Sequence, residues 1–256
     1  NLTIMFCDIK GFTPFSESLS AYDVIFILNR YFSIMREIII KNGGEVNNYI
    51  GDAIMAIFGL KESRQQILRS VNTGIEMLKA MDEFKTYLID AYNISFDMRI
   101  GIHYGEVIVG TVGYGEDKKL TVIGDTVNIA SRIESTNKDA DTRLLISEVA
   151  YKEVQDYINV DNFLRLKLRG LSKLISLYEV SGIKEEYLNK YEVLNEKIFK
   201  GKKWFRTLPI SELVLGEKKK FEIGNVEILL IQMNQLQMIL NNPFLKITFN
   251  LYLYLY

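Results

Sequence analysis

The sequence predicts an α+β fold in which a ferredoxin-like βαββαβ core is followed by added C-terminal helices and strands. Short apolar runs alternate with two longer segments whose apolar residues recur every three or four positions, as in amphipathic helices. Glycines separate these segments, and Gly51-Asp52 lies between two apolar runs in the manner of a tight hairpin. With 256 residues, of which 48% are hydrophobic, the chain can bury one sizeable core and still carry an appendage.

The elements of the core are predicted from local patterns in chain order. Leu2 to Cys7 is an apolar run ended by Asp8, which indicates a short buried strand. The next elements are a helix at 24–39, strands at 45–50 and 53–58, a helix at 67–81, and strands at 95–103 and 107–112. The last two strands are expected to pair with each other across a turn. Both helices should cover one face of the sheet, which leaves the other face free for a site or a partner.

The C-terminal part adds further elements. Thr126 is predicted to open a helix, and Ser147 with Glu148 caps a short helix that ends near residue 157. Residues 164–168 and 176–180 are predicted as a closing pair of strands. Because the composition changes beyond this point, we expect one domain at residues 1–182 and a C-terminal extension of unknown role at 183–256.

Charge and cysteine content restrict the setting of the chain. The net charge is −1, which gives no electrostatic basis for binding nucleic acid or a membrane surface. The single cysteine, Cys7, cannot form an internal disulfide, so a cytoplasmic setting is expected. No run of about 18 apolar residues is present, so membrane attachment is expected only through segments outside this chain. Because the sequence begins at Asn1 within a strand pattern, we expect it to be a fragment.

Two aspartates are the first candidate site residues. Asp8 follows the first apolar run, and Asp52 lies at the tip of the predicted hairpin. In a βαββαβ sheet the first strand and the hairpin are neighbours, so the two carboxylates can approach each other. Carboxylates at strand ends suit a hard divalent cation, and two of them suggest two-metal phosphoryl transfer. A simpler alternative is that Asp8 caps the following segment and Asp52 fills a turn.

A third segment, residues 120–134, places Asn128 and Arg132 four positions apart on one face of the predicted helix. Together with the segments around the two aspartates, it resembles the catalytic domain of class III nucleotidyl cyclases, the adenylyl and guanylyl cyclases. The resemblance also includes Gly43-Gly44 and the glycine-bearing segments 101–107 and 110–113. It extends in order from residue 2 to about residue 180, and it implies the dimeric class III cyclase fold.

The resemblance implies that a nucleoside triphosphate is cyclised to the 3′,5′-cyclic monophosphate with release of pyrophosphate. Two Mg²⁺ or Mn²⁺ ions per site would be held by Asp8, Asp52 and the main-chain carbonyl of Ile9. Asn128 would position the ribose, and Arg132 would contact the α-phosphate in the transition state. The other substrate-binding residues implied are Phe12 and Thr13 at the phosphates, Asn48 and Thr121 at the base, and Arg169, which replaces the phosphate-binding lysine usual in the family.

The two residues expected at the base depart from both familiar patterns. Adenylyl cyclases usually carry Lys with Asp or Thr at these positions, and guanylyl cyclases usually carry Glu with Cys. Here Asn48 and Thr121 can each donate or accept a hydrogen bond, so either purine can be accommodated. Because no acidic side chain is present to accept from guanine, adenylate cyclase activity with ATP is favoured, and guanylate cyclase activity is the alternative.

In the family each site is formed between two catalytic domains, so the resemblance also implies a homodimer with two equivalent sites. A non-catalytic, nucleotide-sensing module is an alternative, although Asp8, Asp52, Asn128 and Arg132 are all present. An enzyme of the diguanylate-cyclase or polymerase-palm type is a third possibility, but the usual Gly-Gly-Asp/Glu-Glu-Phe hairpin is absent.

Two further motifs are expected to have structural roles and not to take part in catalysis. His103 is the only histidine and has no cysteine near it, so a role in packing or in a turn is expected. Residues 110–115 lack the Gly-Lys-Ser/Thr ending of a nucleotide-binding loop, and they are expected to form a hairpin or a dimer arm.

Overall fold

A computed structural model gives the structure of residues 1–168 and 173–187, together with short strands at 218–223, 226–231, 245–248 and 252–255. The chain forms two compact units, Asn1–Asn195 and Glu196–Tyr256. All predicted site residues belong to the first unit.

The first unit alternates strands and helices. Its strands are β1 (Leu2–Lys10), β2 (Gly44–Ile50), β3 (Ala53–Phe58), β4 (Asp97–Gly105), β5 (Ile108–Val112), β6 (Lys119–Ile123), β7 (Leu144–Ser147), β8 (Ile158–Lys167) and β9 (Leu174–Ile183). Its α-helices are α1 (Phe12–Ser18), α2 (Ala21–Lys41), α3 (Gln66–Tyr92), α4 (Asp125–Ala140) and α5 (Glu148–Val154). The order β1-α2-β2-β3-α3-β4 is the predicted βαββαβ core, so the predicted fold class is confirmed.

Seven of the strands form one mixed sheet in the order β2-β3-β1-β4-β7-β9-β8. β1 lies antiparallel to β3, with Cys7 opposite Ile54, and antiparallel to β4, with Asp8 opposite Arg99. β2 and β3 form the predicted hairpin, with Asp52 in its turn. This topology places the tip of the hairpin next to the end of β1.

Two features of the sheet differ from the prediction. The sequence predicts pairing of residues 107–112 with β4, whereas β5 pairs antiparallel with β6 in a separate hairpin. The edge of β4 is occupied instead by β7, which runs parallel to it. β7 is not predicted from the sequence. Its residues are all buried, so they lack the alternation of apolar and polar residues that marks a half-buried strand. β8 and β9 are confirmed, and both are longer than predicted.

Helices α2, α3 and α5 cover one face of the sheet. Ser20 caps the start of α2, where its Oγ accepts a 3.2 Å hydrogen bond from the main-chain N–H of Asp23. The apolar sides of the helices pack on alternate residues of the central strands. Buried side chains of this core include Met5, Cys7, Tyr31, Met35, Ile39, Met77, Met81, Ile100 and Ala150. The core therefore fixes the position of the central strand and of its end.

The opposite face is not free, contrary to the prediction, because α4 lies across it. Phe6 of β1 belongs to a second apolar cluster that includes Ala130 of α4. The helix approaches β4 so closely that a Cβ atom added at Gly101 would lie 2.2 Å from the main-chain nitrogen of Glu134. Only glycine permits such an approach. Asp8, two positions after Phe6 on β1, lies on this same side of the sheet.

The second unit, as far as it is described, contains two hairpins. β10 (Lys218–Ile223) pairs with β11 (Val226–Ile231), and β12 (Leu245–Thr248) pairs with β13 (Tyr252–Leu255). Among the described residues of the whole chain, no helix combines the length and the apolar character needed to cross a bilayer.

Candidate active site

The carboxylates of Asp8 and Asp52 meet at the end of β1, as the sequence predicts. Burial, followed by a hydrogen bond with Asp8 and by the charge of Asp8, raises the pKa of Asp52 to about 6. The main-chain N–H of Ile9 donates a hydrogen bond to the Asp52 carboxylate. Because the side chain of Ile9 is buried in the core, this residue contributes to the site through its main chain. The fold thus holds two acidic groups together where neither serves core packing.

A cationic side chain lies on the same side of the sheet as Asp8. Arg99 of β4 is the antiparallel partner of Asp8, and directly paired residues project from the same side of a sheet. The side chain of Arg99 is half-buried. The sequence alone does not identify Arg99 as a site residue, because the pairing of β4 with β1 leaves no mark in a local pattern.

Glu134 of α4 is a third carboxylate near the pair, and the sequence analysis does not identify it. Burial, followed by the charge of Asp8, raises the pKa of Glu134 to about 7. Arg99 acts in the opposite direction and lowers this pKa. The sequence signal that places the side chain inward is the helical spacing of the buried α4 residues Thr126, Ala130, Ile133, Glu134 and Asn137.

The acidic pair fits a divalent cation in donor type and in electrostatics. Mg²⁺ is commonly bound by one or two carboxylates together with substrate phosphates, so a cage made only of side chains is not required. Asp8 and Asp52 supply two carboxylates, and a positive ion would relieve their mutual repulsion. Among the described residues, no three Asp, Glu, His or Cys side chains are arranged to hold one metal ion together. The remaining ligands would therefore come from the main chain and the substrate.

Phe12 and Thr13 begin α1 directly after Gly11, whose φ of 90° lies in the left-handed region that favours glycine. No side chain accepts a hydrogen bond from the first main-chain N–H groups of this helix, so those groups are available to a ligand. The ring of Phe12 packs against Phe15, with 5.5 Å between the ring centroids. Phe12 can therefore serve a ligand through its main chain.

Asn128 and Arg132 both lie on α4, which confirms the predicted helical spacing. Asn128 is exposed and Arg132 is half-buried. Residues two positions apart on an α-helix are separated by about 200° around its axis, so Arg132 and Glu134 lie on opposite sides of α4. In the described part of the chain, no hydrogen bond or ion pair joins Asn128 or Arg132 to Asp8 or Asp52. The described residues of one chain thus hold the two predicted groups without a direct polar contact between them.

Asn48 and Thr121 belong to two different hairpins that the fold connects. β2 contains an irregularity between Val46 and Asn48, which leaves Asn47 outside the regular register. The side-chain amide of Asn47 donates a 3.1 Å hydrogen bond to the main-chain carbonyl of Leu120, next to Thr121. Asn48 is exposed and Thr121 is half-buried, so both side chains remain accessible to a ligand.

Three further predictions concern other parts of the chain. His103 is buried, and its Nδ1 lies 2.7 Å from the Oγ atom of Ser147, so the predicted packing role is confirmed. Burial lowers the pKa of His103 to about 4. Residues 110–115 lie at the end of β5 and in its connection to β6, which confirms the hairpin. Arg169 lies outside the described residues.

Comparison with known proteins gives a consistent result. Residues 1–182 match the family model of the adenylate and guanylate cyclase catalytic domain. The chain is 38% identical over 191 residues to an adenylate cyclase of Anabaena cylindrica, an alignment that covers 70% of this chain and 36% of that enzyme. The chain thus spans well under half of the length of this relative.

Two solved structures are similar over nearly their whole length. The guanylyl cyclase Cya2 is 32% identical with a TM-score of 0.68, and the similarity covers 73% of this chain and 94% of that one. The adenylyl cyclase CyaB from P. aeruginosa is 31% identical with a TM-score of 0.67, covering 72% of this chain and 95% of that one. A family match over residues 1–182 and relatives above 30% identity establish that this chain belongs to the class III adenylyl and guanylyl cyclases.

Proposed function

We propose that the chain is an adenylate cyclase that converts ATP to cyclic AMP and pyrophosphate at sites shared by two copies of the chain. The pair of carboxylates at the end of β1, Asp8 and Asp52, carries this proposal, because the two groups repel each other when both are ionised and a bound divalent cation would offset that repulsion. Relatives named adenylate cyclase and guanylyl cyclase support the class of reaction.

The reaction is an attack of the ribose 3′ hydroxyl on the α-phosphate, with pyrophosphate as the leaving group. Two bound Mg²⁺ or Mn²⁺ ions would supply acidification of the hydroxyl and neutralisation of the triphosphate. Asp8, Asp52 and the carbonyl of Ile9 would hold these ions, and the N–H of Ile9 orients the Asp52 carboxylate. The main-chain amides of Phe12 and Thr13 would bind phosphate oxygens at the start of α1.

Cationic side chains would offset the negative charge that grows on the phosphate oxygens during the reaction. Arg99 projects from the same side of the sheet as Asp8, so its guanidinium is available to the triphosphate. Arg132 would contact the α-phosphate, and Asn128 would orient the ribose, each acting on nucleotide bound at the other copy's acidic pair. Arg169 would bind the leaving phosphates, a role that rests on the resemblance alone.

Two features support assembly as a homodimer. Among the described residues of one chain, no hydrogen bond or ion pair joins Asn128 or Arg132 to the acidic pair, which supports a site completed by a second copy. The β5–β6 hairpin also exposes apolar side chains, among them Ile108 at 74%, Tyr114 at 93% and Ile123 at 58% exposure. A group of exposed apolar side chains on one hairpin is typical of an interface between proteins. A head-to-tail pair would contain two equivalent sites.

The side chains proposed at the base favour ATP by a small margin, because neither of them is an acidic group that could accept from the N1–H of guanine. Asn48 can offer its amide donor to N1 of adenine and its acceptor to the exocyclic amino group, and the Thr121 hydroxyl can adapt to either purine. Guanylate cyclase activity is the second candidate, because a flipped Asn48 amide also matches guanine. The similarity to the guanylyl cyclase Cya2 favours that alternative.

Incubation of the chain with ATP and with GTP, each in Mg²⁺ and in Mn²⁺, tests the proposed function. We expect cyclic AMP as the main product, a lower rate with GTP, and no product in EDTA. A chain that binds ATP but forms no cyclic product in any of these conditions would support the nucleotide-sensing alternative. A strong preference for GTP would identify a guanylate cyclase instead.

Asn48→Lys is expected to raise the selectivity for ATP over GTP. An ammonium group only donates hydrogen bonds, so it suits N1 of adenine and cannot accept from the N1–H of guanine. A donor left unpaired in this way costs about 1–3 kcal/mol, which corresponds to a change of about 5- to 160-fold in the selectivity. The measurement is the ratio of kcat/KM for the two nucleotides in the parent and in the variant.

Asn159→Lys provides a matched control for this change. Asn159 is exposed on β8, at the opposite edge of the sheet from β2, so the variant adds the same charge away from the proposed base site. Its selectivity should equal that of the parent. If Asn48→Lys shifts the ratio toward GTP, Asn48 does not contact the base as proposed.

A further inference from the structure

Glu134 is a buried carboxylate whose hydrogen bonding is incomplete. The residue is 8% exposed. Its Oε2 atom accepts a long hydrogen bond of 3.3 Å from the hydroxyl of Ser135. Its Oε1 atom is buried, and no donor among the described residues reaches it. A buried carboxylate oxygen without a partner destabilises the folded chain, so its presence requires an explanation.

The fold places Glu134 beside the acidic pair. Because Gly101 has no side chain, α4 rests directly on β4, and the main chain of Glu134 lies over this glycine. Phe6 is the β1 partner of Gly101, and Asp8, two positions further along β1, is the partner of Arg99. Side chains two positions apart on a strand share one side of the sheet, so Asp8 and Arg99 project toward the side that α4 covers.

The groups around Glu134 compensate its negative charge only in part. Asp8 and Asp52 carry the same sign and oppose its ionisation, whereas Arg99 favours it. Arg99 nevertheless donates no hydrogen bond to the free Oε1 atom. Glu134 is also not arranged with Asp8 and Asp52 to ligate one ion directly. A cation at the Asp8/Asp52 pair would therefore offset the charge of Glu134 without being bound by it.

We propose that Glu134 is a positioning residue that strengthens the binding of a divalent cation at the Asp8/Asp52 pair by adding a third negative charge beside it. This role rests on the proposed function, in which those two aspartates bind the ion. Groups just outside the direct ligands of a metal commonly change its affinity by about 10- to 100-fold. Attraction across a buried region is also stronger than attraction through solvent. Glu134 acts on the reaction only through the ion.

Binding of Mn²⁺ alone to the full chain, measured from the electron paramagnetic resonance signal of the free ion, tests this role without turnover. Glu134→Gln removes the charge and keeps the shape of the side chain. We expect its Mn²⁺ affinity to fall by about 10-fold or more relative to the parent. Glu134→Asp keeps the charge on a shorter side chain and should recover most of the affinity.

Asp139→Asn is the matched control, because Asp139 is an exposed carboxylate on the same helix. Solvent screens its charge, so the Mn²⁺ affinity should change by less than about 2-fold. Unfolding temperatures in EDTA show whether each variant is folded. Glu134→Gln should be at least as stable as the parent in EDTA, because the buried negative charge near Asp8 and Asp52 is gone, and it should gain less stability from added Mn²⁺.

Equal Mn²⁺ affinity of the parent and Glu134→Gln would overturn the proposal. Failure of Glu134→Gln to fold would also overturn it, because the carboxylate would then be required for packing. Equal losses of Mn²⁺ affinity in Glu134→Gln and Asp139→Asn would also contradict it, because the effect would then come from the overall charge of the chain and not from the position of Glu134. The proposed function fails by a different result: a parent that binds no Mn²⁺, or an Asp52→Ala chain that binds it as tightly as the parent, contradicts the metal assignment itself.

Discussion

Asp8→Ala and Asp52→Ala are each expected to lower turnover by at least about 1,000-fold. Each change removes one of the two carboxylates proposed to hold the metal ions, and stabilisation of the transition state by metal is large enough for such a factor. The fold should persist, because neither carboxylate belongs to the apolar core and the two repel each other when ionised. Cyclic product formation with saturating ATP and Mg²⁺, together with unfolding temperatures in EDTA, checks both expectations.

Asp90→Ala is a suitable control for these two variants. Asp90 is an exposed carboxylate on α3, and its removal should leave turnover near that of the parent. Near-parent turnover of Asp8→Ala or Asp52→Ala, at matched concentrations of protein and metal, would refute the assignment of these carboxylates to the metal site. An unfolded variant in EDTA would show that the carboxylate supports the fold, contrary to the expectation.

Mixing inactive Asp52→Ala chains with inactive Arg132→Ala chains is expected to restore activity. In a head-to-tail dimer, each site takes its acidic pair from one copy and its Arg132 from the other. A mixed dimer then contains one site with both defects and one site with neither. Random pairing of equal amounts should therefore recover about a quarter of the parent activity. The measurement is cyclic product formed per total chain after the two proteins have exchanged subunits.

Asp8→Ala mixed with Asp52→Ala is the control that makes this result specific. Both changes affect the acidic pair, so each site of the mixed dimer carries one defect and no activity should return. If the Asp52→Ala and Arg132→Ala mixture stays inactive although mixed dimers are present, the shared-site arrangement is incorrect. Equal recovery in both mixtures would also contradict it.

The acidic pair could be predicted from sequence because each aspartate follows from a local pattern. An apolar run ends at Asp8, and a glycine with Asp52 marks a hairpin between two apolar runs. The βαββαβ order then makes the two segments neighbours in the sheet. The spacing of Asn128 and Arg132 was equally local, since it required only that their segment be helical.

The features that escaped prediction depend on contacts between distant segments. Residues 107–112 could pair either with β6 or with the edge of β4. They pair with β6, and β7 occupies the edge of β4. The position of α4 on the second face depends on the missing side chain at Gly101, which a local pattern does not connect with Glu134. Arg99 is placed beside Asp8 only through the register between β4 and β1.

In the proposed dimer, α4 is an element common to two reaction centres. Arg132 on one side of the helix would act in the centre that contains the other copy's acidic pair, whereas Glu134 on the opposite side lies near the pair of its own chain. Because no side chain separates the helix from the sheet at Gly101, a tilt or rotation of α4 changes both positions together. If two copies share their sites as proposed, the nucleotide contacts of one centre and the metal environment of the other would therefore shift in concert.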